Sequence, residues 1–85
     1  MKYKCTYTSG GGTEYDEGEW IIKRTAKTTT ATKIKDIGIY GNFKVGEKIR
    51  IGFQTGNPIK DYNEKDDSFV VYFRQSGTPY YFELM

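Results

Sequence analysis

The stretch SFVVYFRQSGTPYYFELM, residues 68–85, decides the fold. Two runs rich in aromatic and β-branched residues flank Ser76-Gly77, and such runs on either side of a Gly-containing dipeptide mark an antiparallel hairpin. A two-residue loop at Ser76-Gly77 pairs Gln75 with Thr78, Phe73 with Tyr80, Val71 with Phe82 and Phe69 with Leu84. The last three pairs form one apolar face, while Tyr72 opposite Tyr81 and Val70 opposite Glu83 form the other. Pro79 has no N–H and belongs at a strand start or an edge. A slip of one residue would turn the apolar face outward, so the pattern fixes the register.

The same period of two recurs toward the N-terminus. In KYKCTYT, residues 2–8, Tyr3, Cys5 and Tyr7 share one face and Lys2, Lys4, Thr6 and Thr8 the other, which predicts a half-buried strand. Ser9 to Gly12 supply a turn, and EWIIKRTA continues as strand from about Glu17 to Ala26. Residues 28–38 carry Thr28, Thr29, Thr30 and Thr32. β-Branched residues favour strand, with a short amphipathic helix through Ala31, Ile34 and Ile37 as the alternative. Ile34 falls out of phase with Ile37 and Ile39, and a bulge near Asp36 would restore the alternation. Val45-Gly46-Glu47 reads as a turn into a strand with Ile49, Ile51 and Phe53 inward and Lys48, Arg50 and Gly52 outward. The segment IKDYNEKDD, residues 59–67, reads as a polar loop.

Five or six short strands joined by Gly-containing turns, with at most one short helix, predict an all-β domain spanning residues 1–85. A flat sheet of that size leaves open edges, so a small antiparallel barrel or sandwich is expected. The run FKVGEKIRI, residues 43–51, resembles the strand entry of SH3-like and OB-like barrels. That resemblance implies architecture and no activity.

The chain has 85 residues with net charge +2, one cysteine and no histidine. An intrachain disulfide and a Cys/His metal cluster are therefore excluded, as are His-dependent nucleophilic triads. Cys5 reads as a small core hydrophobe. The start MKYKCTYTSG lacks an apolar signal-peptide core, and the chain reads as a complete small product in the reducing cytoplasm, of a host cell if phage-encoded. Eight Tyr, five Phe and one Trp allow few residues to fill a thin core.

Gly10-Gly11-Gly12 invites comparison with a phosphate loop. No Lys-Ser/Thr follows, and a dinucleotide motif would need glycine where Tyr15 stands. The four carboxylates Glu14, Asp16, Glu17 and Glu19 would repel phosphate, so the glycines read as a hairpin tip. DYNEKDD, residues 61–67, places Lys65, Asp66 and Tyr72 where an EF-hand loop needs an oxygen donor, Gly and Glu, and reads as a solvated loop. No cofactor or metal is expected.

With the carboxylates read as gathered in exposed loops, a buried acid–base pair is not expected, nor is an enzyme. The leading expectation is a protein-binding module using exposed Tyr and Arg. Its Lys-, Tyr-, Ile- and Thr-rich composition is favoured by AT-rich genes and fits a phage or mobile-element inhibitor of a host defence enzyme, of the anti-CRISPR type. The acidic runs, Glu14, Asp16, Glu17 and Glu19 with Asp61, Asp66 and Asp67, would then act as phosphate surrogates, or the tyrosine-bearing sheet would cover an active site. Residues 21–50 hold eight Lys and Arg against two carboxylates. This motivates a second expectation, single-stranded nucleic acid bound by Tyr40, Tyr72 and Tyr81 with Lys48, Arg50 and Arg74. A third is a nucleotide-sized ligand held at a barrel mouth or subunit interface.

Overall fold

The computed structural model describes residues 1–85. Seven strands appear in chain order: β1 (Lys2–Thr8), β2 (Glu14–Arg24), β3 (Thr29–Lys35), β4 (Lys48–Ile51), β5 (Ile59–Asn63), β6 (Ser68–Val71) and β7 (Tyr80–Leu84). The sole helical element is a 3-10 turn, Phe73–Gln75, so no helix is long and apolar enough to cross a membrane. All seven strands join one antiparallel sheet in the order β4-β3-β2-β1-β7-β6-β5. The sheet curls into a half-barrel. Its two edge strands, β4 and β5, are joined by residues 52–58, in which Gly52 and Asn57 form an isolated bridge.

The concave face carries the core. β1 contributes Tyr3, Cys5 and Tyr7, as the alternation predicts, and all three are buried. β2 adds Trp20 and Ile22, β3 adds Ala31, β4 adds Ile51, and the C-terminal strands add Phe69, Val71, Tyr80 and Phe82. Trp20 is edge-on to Phe43 at 5.4 Å and to Phe82 at 5.5 Å. Burying each large apolar side chain contributes roughly 1.5–3 kcal/mol, and each such ring pair about 0.5–1.5 kcal/mol more.

The Gly10–Gly12 hairpin tip is present. Ser9 N–H donates to Thr13 O at 2.8 Å and Gly12 N–H to Ser9 O at 2.9 Å, with Gly12 at φ +85°. β1 lies where the alternation placed it, β3 occupies Thr29–Lys35 of the segment read as strand for its β-branched residues, and the Val45-Gly46 turn leads into β4.

Four expectations are corrected. The C-terminal hairpin has no two-residue loop. Tyr72 leaves the sheet, and Arg74 and Gln75 adopt positive φ in the 3-10 turn. Pro79 holds β7 back to Tyr80, since it cannot donate to a ladder. Phe69 therefore faces Phe82, Val71 faces Tyr80 and Val70 faces Tyr81. The shift is two residues, so the inward set survives. Second, the bulge in β3 falls at Ile34, because Trp20 pairs with Lys33 and Glu19 with Lys35. The strand ends at Lys35, which leaves Ile39 84% exposed in the following loop. Third, β4 stops at Ile51. Gly52, at φ +104°, turns the chain, and Phe53 is 91% exposed instead of inward. Fourth, residues 59–63 are not loop but edge strand β5, paired with β6 through a bulge between Lys60 and Asn63.

Candidate functional site

The acidic run at residues 14–19 lies wholly in strand, because β2 begins at Glu14 and not near Glu17. Cys5 pairs with Gly18 and Thr6 with Asp16, which leaves Glu17 as the extra residue of a β-bulge. An added residue reverses the alternation, and the Glu17 side chain is wholly buried. Its Oε2 accepts from Lys33 Nζ at 2.7 Å and from Phe43 N–H at 3.3 Å, and its Oε1 from Asn42 N–H at 2.6 Å. Lys33 Nζ also donates to Phe43 O at 2.8 Å and lies 2.7 Å from Asp36 Oδ1. Burial pulls the Lys33 ammonium down, but the bonds to Asp36 and Glu17 outweigh it and hold its pKa above the ordinary value. The pair fastens residues 36–47 as a strap over the concave face, where Phe43 packs on Trp20, Phe73 and Tyr80. Every buried side-chain oxygen and nitrogen has a partner, so this cluster holds the fold.

The remaining acidic candidates separate. Glu19 lies between Lys2 at 3.6 Å and Lys35 at 4.0 Å. Asp67 accepts hydrogen bonds from Tyr3 and Tyr62 and sits 3.7 Å from Arg24. Those two phenols, and Arg24 after them, hold the Asp67 carboxyl below its usual range. Asp66 accepts from Ser68 N–H and Oγ. Glu14 and Asp61 are exposed and Asp16 half-buried. No continuous acidic face survives.

The basic candidates fare differently. Between the free edges of the half-barrel runs an open groove of about 1310 Å³. Lys27 stands on the β2–β3 turn, Arg50 on β4 and Lys60 on β5, with Phe53 and Tyr72 beside them. No carboxylate lines the groove, and none of the three cations belongs to an ion pair. The walls are fixed by short polar links. Thr25 Oγ1 accepts from the N–H groups of Lys27 and Thr28 at 3.3 and 3.0 Å, which sets the turn bearing Lys27. Asn57 Nδ2 donates to Arg50 O at 2.8 Å, and Asn57 Oδ1 accepts from Arg74 N–H at 2.7 Å, tying β4 to the 3-10 turn. Lys60 Nζ rests 5.4 Å from the Tyr72 ring centroid.

Of the residues singled out from sequence, the groove unites Arg50 and Tyr72. Lys48 is exposed on β4 opposite Thr32. Arg74 lines a smaller cavity with Phe43 and Ile49. Tyr81 is on the outer face of β7 opposite Thr6, and Tyr40 lies on the strap. Lys27, Lys60 and Phe53 were not among the contact residues expected: Lys27 counted only toward the basic stretch 21–50, Lys60 sits in a segment read as loop, and Phe53 was assigned to the core. Set against protein-family models, proteins of curated function and solved structures, the chain finds no match.

Proposed function

We propose that this protein is a non-catalytic binder of single-stranded nucleic acid, held along the groove between β4 and β5. The observation that carries the reading is the set Lys27, Arg50 and Lys60, three unpaired cations around a carboxylate-free groove with Phe53 and Tyr72 at hand. Cations that follow a backbone, with rings on which bases stack, are the general means of binding single strands. A groove of about 1310 Å³, lined by 18 residues of which only 5 are hydrophobic, is larger and more polar than the usual drug-sized site. It suits a length of polymer better than a nucleotide.

The test is fluorescence anisotropy with labelled single strands at two salt concentrations. Affinity should fall as salt rises, with a log–log slope near −0.7 per phosphate contact. Replacing Lys27, Arg50 and Lys60 with Ala should flatten that slope by roughly 2. Absence of binding, or a slope unchanged by the triple replacement, would refute the reading.

A protein-binding inhibitor is the second reading, favoured by Ile39, Tyr40 and Val45, which face solvent on the strap. Phosphate mimicry by the acidic run loses support because Glu17 is committed inside and Glu19 is paired. Capture of a partner by the wild type but not by an Ile39→Ser, Val45→Ser variant would favour this reading.

A further inference from the structure

A third concavity, about 540 Å³, shares no residue with the groove. Tyr7, Tyr15, Tyr40 and Tyr80 line it, beside Asn42 and the Gly10 end of the hairpin tip. The rings touch in the order Tyr80, Tyr7, Tyr15, Tyr40, with centroid separations of 5.1, 5.4 and 5.2 Å. Tyr15 and Tyr40 meet at 59° and form an open corner. Two phenol oxygens are engaged within the protein: Tyr7 Oη donates to Tyr40 O at 2.5 Å, and Tyr80 Oη accepts from Asn42 Nδ2 at 2.9 Å. What the cavity offers a ligand is the Tyr15–Tyr40 ring corner, set among the polar groups of Ser9, Asn42 and Thr78.

Its electrostatics set it apart from the groove. No Lys or Arg lines it. Glu14 and Asp16, on either side of Tyr15 in β2, project from the opposite face of the sheet and do not line it. Burial raises the pKa of Tyr7 and Tyr80, and the Glu17 carboxylate behind them acts in the same direction. Ring faces carry negative quadrupolar charge and attract cations, most strongly when these are poorly hydrated. A phosphate or carboxylate would find no cationic partner.

We propose that this tyrosine corner is a binding site for an alkylated ammonium group of the trimethylammonium class. The ligand enters as a cation against the faces of Tyr15 and Tyr40, and its methyl groups lie on the rings. The assignment is independent of the nucleic-acid groove.

The test is an NMR titration of the intact protein with choline and with 3,3-dimethylbutanol, its uncharged isostere. Choline should shift the amides of Gly10, Gly41 and Asn42 saturably, and the alcohol should bind about tenfold more weakly. Tyr40 is 61% exposed, so Tyr40→Leu should leave the fold intact and abolish the shifts, while Tyr40→Phe keeps the ring face and retains them. A peptide bearing trimethyl-lysine separates the sources: tighter binding than choline identifies a protein partner, weaker binding a small molecule. Equal binding of the alcohol, no shift from either compound, or full binding by Tyr40→Leu would overturn the proposal.

Discussion

Glu17 enters the core because one inserted residue turns it there, and Lys33 meets it because Ile34 forms a second insertion next door. Glycine completes the arrangement. A Cβ on Gly41 would stand 2.7 Å from Lys33 Nζ and 2.9 Å from Glu17 Oε2, so a methyl group there must separate the ions or displace the strap. Removing one member of a buried pair costs about 3–5 kcal/mol. Because Lys33 keeps Asp36 and Phe43 O, Glu17→Gln is expected near the lower end, a fall in Tm of roughly 12–24 °C at about 3 kcal/mol. Gly41→Ala should destabilise in the same direction, and thermal melts of the two variants check both. The ionisable core also sets an alkaline limit. Burial first, then the hydrogen bond to Asp67, pushes Tyr3 up to about 12, and Lys33 is raised as well. A raised folded-state pKa means the folded chain holds the proton more tightly. This stability is full below about pH 10, the unfolded tyrosine value, and is lost as pH rises toward 12. Asp67, depressed by Tyr3 and Tyr62, acts in the opposite window: its contribution is present above about pH 4, the unfolded value, and declines as pH falls through the folded one. Urea midpoints measured from pH 8 to 12 should drop for the wild type and drop less for Tyr3→Phe.

β1, with clean alternation, was readable to its ends, whereas bulges hid the start of β2 and the whole of β5. In β1 every inward residue is apolar, and it spans the predicted residues 2–8. In β2 the bulge reverses phase at Glu17, so four carboxylates in six residues look like a loop while one of them is core. β5 was missed for a related reason. It is an edge strand with Asp61 at φ +53° in its own bulge, and charge, kinks and irregularity are how edges avoid unwanted pairing. The same residues hid the groove, since Lys60 belongs to that edge and Lys27 to a turn whose position depends on Thr25. Arg50 and Tyr72 were legible only as residue types suited to anions; their proximity is a consequence of the curl. Gly18 is the hinge of the β2 irregularity. It sits at φ +92°, and a Cβ there would fall 2.1 Å from Lys35 O, a backbone atom that cannot rotate away. Left-handed strain alone costs about 1–3 kcal/mol. Gly18→Ala is therefore expected to destabilise by at least about 2 kcal/mol, and to disturb the amide signals of β3 as well as β2. Unchanged β3 signals would show that the bulge tolerates the methyl group.

A half-barrel of 85 residues has a thin core, because a chain this small removes only ~60% of its unfolded surface from water. It also has two strand edges, joined through the loop that holds the Gly52–Asn57 bridge. The molecule distributes its charge accordingly. Its cations Lys27, Arg50 and Lys60 gather at the open seam, while the buried pair and the tyrosine row lie under and beside the strap. A ligand in the seam would touch the β2–β3 turn and both edges, the parts least supported by the core. Binding to the folded state alone raises stability by mass action, about 2.7 kcal/mol at a hundred times Kd. For a domain of this size that corresponds to a Tm increase of roughly 11–22 °C. The expected result is a rise of that order with an excess of single-stranded oligonucleotide. Poly-glutamate at matched charge separates stacking from simple neutralisation: charge alone would make the two polymers equivalent, whereas base stacking on Phe53 and Tyr72 makes the oligonucleotide the better stabiliser. Replacing Phe53, 91% exposed, with Ser should then narrow the difference between the two polymers without lowering the Tm of the free protein. A free-protein Tm that fell with Phe53→Ser would assign this ring to stability instead of to the ligand.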